Sequence, residues 1–274
     1  MRKILSLMLG VAWMAGMSHA QTAEELVAKN LQAKGGVQAI KAITSLHMVG
    51  KLQQGPFVIP GEQDSKAPDS LRESYTLQGM TAVEAYDGSA GWQIQPFMGR
   101  RDPEMLGEDD LRDMSESADF YGPLVDYQQK GNKIEYLGKY SLDGDDTYRL
   151  KVTLKNGDII YYFLDPDTYI EIRTDKQMFI RGAVHETVTD LGSYKKVNGV
   201  YFPFSVDSWP KSDPTQKQQI TFEKIEANGP MNDAEFKMPA APHGPETMKA
   251  PEPPVPSKQD KPKEVPPANP PKQQ

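Results

Sequence analysis

The chain has 274 residues, 38% hydrophobic and 25% charged, which suits one globular domain large enough to bury a core without staples. It contains no cysteine, so disulfides and lipid attachment through an N-terminal cysteine are excluded. Its net charge of -7 argues against nucleic acid as a partner, and it has no polybasic patch for anionic lipid heads.

Arg2-Lys3 precede an uncharged apolar run from Ile4 to Met17, then Ser18-His19-Ala20, with small residues at the positions a signal peptidase reads. That run falls short of the ~20 residues that span a bilayer. Residues 1–20 therefore read as a cleaved signal peptide, and a soluble periplasmic protein, not itself lipidated, is expected. Loss of Arg2 and Lys3 takes the net charge from -7 to -9. Thr22-Ala-Glu-Glu25 is a capping box. Leu26, Val27, Asn30 and Leu31 then form one stripe, and Gly35-Gly36 stops the helix. A short second helix follows over 37–43. From Leu46 the period changes to two, and strands are expected at 46–52, 71–77, 81–86 and 91–95. Between 97 and 130, apolar Phe97, Met98, Met105, Leu106, Leu111, Met114, Phe120 and Leu124 are spaced for two short helices with a strongly acidic opposite face.

Strands resume at 133–142. Residues 150–155 and 158–164 are β-rich runs separated only by Asn156-Gly157, which predicts a tight hairpin with a type I′ turn. Leu164-Asp165-Pro166-Asp167-Thr168 supplies another turn, 169–174 continues, and 184–197 and 200–207 are joined by Asn198-Gly199. Strands linked in sequence by such short turns form an antiparallel meander, since parallel neighbours need crossovers. A last strand at 216–226 closes a domain spanning 21–240. About half of the 23 prolines follow Met238, so 241–274 reads as a disordered proline-rich tail.

Several of these stretches resemble the LolA/LolB-type family of outer-membrane lipoprotein-sorting proteins. They are Tyr86-Asp87-Gly88-Ser-Ala-Gly91-Trp92, Leu164-Asp165-Pro166-Asp167-Thr168, the hairpin from Tyr194 through Asn198-Gly199 to Phe202-Pro203, and the opening helices with Gly35-Gly36. The resemblance covers roughly 22–240. It implies an α+β fold: an antiparallel β half-barrel of about eleven strands, with short helices covering a concave apolar face that receives acyl chains. It also implies acyl chains of lipids or lipoproteins as partners, exchanged with a membrane-bound donor or acceptor protein, with the carrier a monomer and no cofactor.

A cover of short helices is displaceable by a lipid that offers equivalent burial. Phe97, Met98, Met105, Leu111 and Met114 are candidates for that cover, the methionines because thioethers repack around variable shapes. Trp92, Ile94, Phe163, Phe202 and Phe204 are candidates for the cavity wall, chosen by alternation within their strands. The same residues also fit an ordinary closed core, which would leave an interaction module acting through its acidic helical face or its tail. No catalytic or metal-ligating set is expected. His47 and His185 lack a second histidine at ligand spacing, Ser193-Tyr-Lys-Lys196 lies at a turn, and Asp87-Gly88-Ser89-Ala90-Gly91 lacks the first glycine of a nucleophile elbow. Asp109-Asp110 and Asp145-Asp146 are sequence neighbours and do not form an acid/base pair.

Overall fold

The structure is a computed structural model that describes residues 21–240; the expected signal peptide, 1–20, and tail, 241–274, lie outside the described residues. Thr22 caps α1 (Ala23–Ala33). Its hydroxyl accepts the Glu25 N–H at 3.1 Å while the Glu25 carboxylate accepts the Thr22 N–H at 3.2 Å, the reciprocal pair that the sequence predicts. Gly35 and Gly36, at φ 130° and 90°, turn the chain into α2 (Val37–Lys41).

Next come β1 (Ser45–Gln54), β2 (Phe57–Lys66), β3 (Ser70–Leu77), β4 (Met80–Asp87), β5 (Gly91–Gln95) and β6 (Arg100–Met105), each paired antiparallel to the one before. After α3 (Glu108–Ser117) and a run of turns come β7 (Lys133–Leu142), β8 (Asp145–Thr153), β9 (Ile159–Leu164), β10 (Glu171–Ile180) and β11 (Ala183–Gly192). A separate hairpin of β12 (Lys195–Val197) and β13 (Val200–Phe202) steps out of the sheet before β14 (Ser205–Pro210). β15 (Gln218–Ala227) then pairs with both β14 and β1 and joins the two halves. The result is one 13-stranded open sheet, with β6 and β7 as its edges. That is an antiparallel half-barrel, with more strands than the expected eleven.

The extra strands have physical reasons. β2 escapes the alternation signal because Pro60 and the polar run Glu62-Gln63-Asp64 interrupt it. Its ladder with β3 begins only at Gly61, one residue past the proline that has no N–H to donate. β6 occupies part of the segment expected to be helical, where Met98 ends a 3-10 turn and Met105 ends a strand; only α3 forms there, and 119–131 is turns. The Asn198-Gly199 turn has both residues left-handed, at φ 47° and 89°, as a type I′ turn requires. At Asn156-Gly157 only Gly157 is left-handed, at φ 95°, so the type I′ expectation fails there. Instead Leu154 N–H donates to the Asp158 carbonyl at 2.8 Å, and the Asn156 side chain accepts the Asp158 N–H at 3.1 Å.

Cross-strand register decides which residues share a face. On the helix-bearing inner face, Leu26, Val27 and Leu31 of α1 and Ile40 of α2 pack on Leu46, Met48, Leu150, Val152, Tyr162, Leu164 and Ile225. On the outer face of β4 and β5, Val83, Ala85 and Trp92 make a separate cluster. Its cover is the segment after β15: Phe236 is 2% exposed, and its carbonyl accepts the Trp92 Nε1–H at 2.7 Å. Ser45 Oγ, donating to the Gly229 carbonyl at 3.0 Å, and Lys66, bonded to Asp233, hold that segment in place.

Candidate functional site

The inner face changes character along the sheet. Over β8, β9, β1 and β15 it is apolar, but over β2 to β6 a polar row crosses it: Gln63 pairs with Glu73, Glu73 with Glu84, Glu84 with Gln93, and Gln93 with Glu104. α3 lies opposite and contributes Asp110, Asp113, Met114 and Ser117. Between helix and strands is a cleft of about 380 Å³, also bordered by Gln95, Met98 and Arg100. That volume is within the range of small-molecule sites, which begins near ~300 Å³.

The electrostatics are those of crowded carboxylates. Burial, then the charges of Glu84 and Asp113, push Glu73 up to about 7. Glu84 is also raised, by burial and by Asp110, against the opposing hydrogen bond from Gln95 Nε2 at 2.8 Å. Burial raises Tyr75 beside them as well.

α3 is held over this floor mainly by ion pairs. Lys176 of β10 lies 2.7 Å from Asp113 and 2.8 Å from Glu116, Arg181 lies 2.8 Å from Asp109, and Arg112 bonds Asp158. Burial alone would lower Lys176, but Asp113 and Glu116 outweigh it and hold the ammonium above its ordinary value. The apolar contact of α3 is small: Leu111, Met114 and Ala118 meet Leu106, Leu71 and Tyr86. Gly91 allows this approach, since a Cβ there would come within 2.7 Å of Leu106 and 2.8 Å of Leu111.

A second chamber sits among α1, α2, the 120–125 turns and the β12–β13 hairpin. Its cavity is about 90 Å³, lined by Leu31, Ile40, Ile43, Phe120, Val125 and Phe202, among others. α1 is pinned beside it by a buried polar network. Glu171 accepts from Asn30 Nδ2 at 2.7 Å and from Lys34 Nζ at 2.5 Å, while Asn30 also donates to the Tyr169 carbonyl at 2.9 Å. Burial raises Glu171, but the Lys34 charge and these hydrogen bonds prevail and hold it below the usual carboxylate range.

The ten residues singled out by alternation and spacing do not meet in one cavity. Leu111 and Met114 lie on the sheet-facing side of α3, and Met98, 69% exposed, stands at the mouth of the cleft. Phe202 lines the smaller chamber and Phe204 is buried in the core beside it. Trp92, Ile94 and Met105 belong to the outer face: Trp92 pairs with Met105 across β5 and β6, and Ile94 with Val83. Phe163 is also outward, yet only 2% exposed, because the Arg149 guanidinium lies over it and over Tyr140 and Tyr161. Phe97 is exposed in the 3-10 turn before β6.

The carboxylates and amides of the cleft were missed. Their signal is present, since Glu73, Glu84, Gln93 and Gln95 are the polar members of three alternating runs, but it becomes legible only once the strands are in register. His47 does find a partner, Asp64 at 2.7 Å on the outer face; the nearby Ser45 hydroxyl donates to Gly229 instead, so no nucleophile and base are linked. Among the described residues, no group of three or more His, Asp or Glu is placed to hold a metal ion, and no helix is long and apolar enough to cross a membrane.

No protein-family model matches the chain, and no curated protein matches it in sequence. Solved structures do match in fold. A LolA superfamily protein from Nitrosomonas europaea superposes with a TM-score of 0.54 at 12% identity, over 80% of this chain and 98% of that one. A DUF1329 family protein from Desulfovibrio piger gives 0.54 at 13% identity, over 78% and 97%. A putative outer membrane lipoprotein-sorting protein domain from Vibrio parahaemolyticus gives 0.50 at 12% identity, over 77% and 97%. The chain has the LolA-type fold, the open antiparallel half-barrel with short covering helices.

Proposed function

We propose that this protein is a periplasmic carrier that binds acyl chains of lipids or lipoproteins non-covalently beneath its helical cover. The observation that carries this reading is the way the apolar inner wall is closed. Strands stop at the open edges, and the wall is covered by α1, α2 and the turns around 120–127, with a cavity of about 90 Å³ already present in the seam. That volume is well under the ~300 Å³ of an ordinary ligand site, so a chain enters only if the cover moves and its contacts are replaced by those of the lipid. The loading edge is one rim of the sheet. There the β1–β2, β5–β6 and β10–β11 connections present exposed Phe57, Val58, Phe97, Met98, Phe179 and Val184. A membrane-bound donor or acceptor would exchange cargo at that rim.

Native mass spectrometry with lipid extraction, on protein purified from periplasm, tests the reading. A phospholipid or lipidated protein released on denaturation is the expected result. Apo protein that also refuses added lipid would overturn it. The small size of the apolar cavity would then count for a second reading, an interaction module of the same fold with a closed core, working through its acidic helical face or its tail.

A further inference from the structure

Glu73 has no hydrogen-bond or ion-pair partner among the described residues, although its side chain is half-buried and borders the cleft beneath α3. Glu84 sits directly opposite on the neighbouring strand, and facing like charges destabilise a sheet. The acceptors continue beyond this pair. Gln95 donates its amide N–H to Glu84 at 2.8 Å and Gln93 donates to Glu104 at 3.1 Å, so neither amide oxygen is used by these bonds. Arg100 is the one cation on the lining among the described residues, and it bonds Glu104 at 2.6 Å. The cleft thus offers several acceptors and an unmet need for a cationic donor.

We propose that this cleft is a binding site for an organic cation bearing a primary ammonium group, its N–H donors set between Glu73 and Glu84 and its carbon chain along Met98 and Met114. A bare metal ion is disfavoured because the carboxylates stand around about 380 Å³ and form no ligand cluster among the described residues. A quaternary ammonium is disfavoured because the lining has no aromatic face to receive it and offers acceptors that it could not hydrogen-bond. Two sources share the favoured chemistry: a free alkyl diamine, and the ethanolamine headgroup of a phospholipid.

Proton linkage gives the site a signature. Glu73 is faced by Glu84 from β4 and Asp113 from α3, with Tyr75 on its own strand and Arg100 of β6 also at the cleft. An ammonium between Glu73 and Glu84 favours the ionised carboxylate, so binding releases a proton near neutral pH and strengthens as pH rises.

The test is calorimetric titration of the mature full chain, at physiological salt, with 1,5-diaminopentane, lysophosphatidylethanolamine below its micelle concentration, and the trimethylated counterpart of each. The expected result is saturable binding of a primary ammonium, about tenfold tighter near pH 8 than near pH 5.5, with proton release. Glu73→Gln, isosteric and checked for folding by its melting curve, is expected to weaken that binding about tenfold and to reduce the pH dependence, while Asp145→Asn leaves both unchanged. Binding of the diamine alone assigns a free amine; binding of the lysolipid alone assigns a headgroup. Absence of binding by either, equal binding of the trimethylated forms, or equal affinity in Glu73→Gln overturns the proposal. It does not rest on acyl-chain carriage: a protein that takes the diamine but refuses lipid keeps this site and loses the carrier reading.

Discussion

Lys176 Nζ on β10 lies 2.7 Å from Asp113 Oδ1 and 2.8 Å from Glu116 Oε2, tying the sheet to α3 on one side of the acidic cleft. Its removal leaves Glu116, 13% exposed, without its closest cation. Lys176→Met is expected to lower stability by about 2–3 kcal/mol, toward the lower end of what breaking a buried pair costs. It should also speed amide exchange across 108–118 far more than across β8 and β9. Hydrogen exchange read by mass spectrometry checks this, and unchanged protection in α3 would mean that its small apolar contact alone holds the helix. If α3 is part of a displaceable cover, the same variant should take up lipid faster.

Glu73 makes stability pH-dependent in a definite direction. Its folded value, raised to about 7, lies above that of an unfolded glutamate, so the folded state holds the proton more tightly between the two. The stability present below about pH 4.5 is therefore lost progressively as pH rises to about 7. Glu73→Gln should match the natural protein near pH 4.5 and exceed it by about 3 kcal/mol near pH 8, because each pH unit separating the folded and unfolded values is worth ~1.4 kcal/mol. Urea midpoints at both ends of that window decide it. A variant no more stable at high pH would show that Glu73 ionises without cost in the unliganded protein.

Glu171 acts with the opposite sign. Held below its ordinary value by Lys34 and Asn30, it contributes stability that is present above the unfolded glutamate value and lost as pH falls through the lower folded value. Asn30→Ala removes the donor to Glu171 and Tyr169 and leaves buried acceptors unpaired, so a loss of about 2–4 kcal/mol is expected near pH 7, shrinking as acid protonates Glu171. Acid titration of unfolding in parallel with the natural protein measures the difference.

Trp92 reports on the outer face. With Trp209→Phe as background, Phe236→Ala is expected to red-shift the Trp92 emission and cost about 3–5 kcal/mol, because it empties a side-chain site, 2% exposed, in the segment bonded to Trp92. Added lipid should leave Trp92 emission unshifted, whereas the Phe202→Trp variant should report lipid entry, because position 202 lines the inner chamber. A lipid-dependent shift at Trp92 would place the ligand on the outer face and remove the inner-cavity reading.

Much of this architecture was legible in the residues themselves. The Thr22–Glu25 cap, the Gly35-Gly36 stop and the Asn198-Gly199 turn are local: a few dihedrals and one or two hydrogen bonds decide each, and the residues that satisfy them are adjacent. Period-two alternation likewise put Trp92 and Ile94 on one face of their strand, and short connections required an antiparallel meander.

Alternation cannot say which face is inside. The two faces of a strand are equivalent until something covers one of them, and here both are covered. The segment carrying Phe236 covers the apolar side of β4 and β5 from without, which turns their polar side toward α3. Hence Trp92 and Met114, both apolar and both expected at one cavity, lie on opposite sides of the sheet, and Glu73 meets Glu84 under a helix. By itself the sequence determined the Thr22 cap, the Asn198-Gly199 turn, the parity within its alternating strands and the class of fold. Only the tertiary structure decided which parity faces the helices, because that depends on contacts between segments more than a hundred residues apart, such as the bond from Trp92 to Phe236 at a separation of 144.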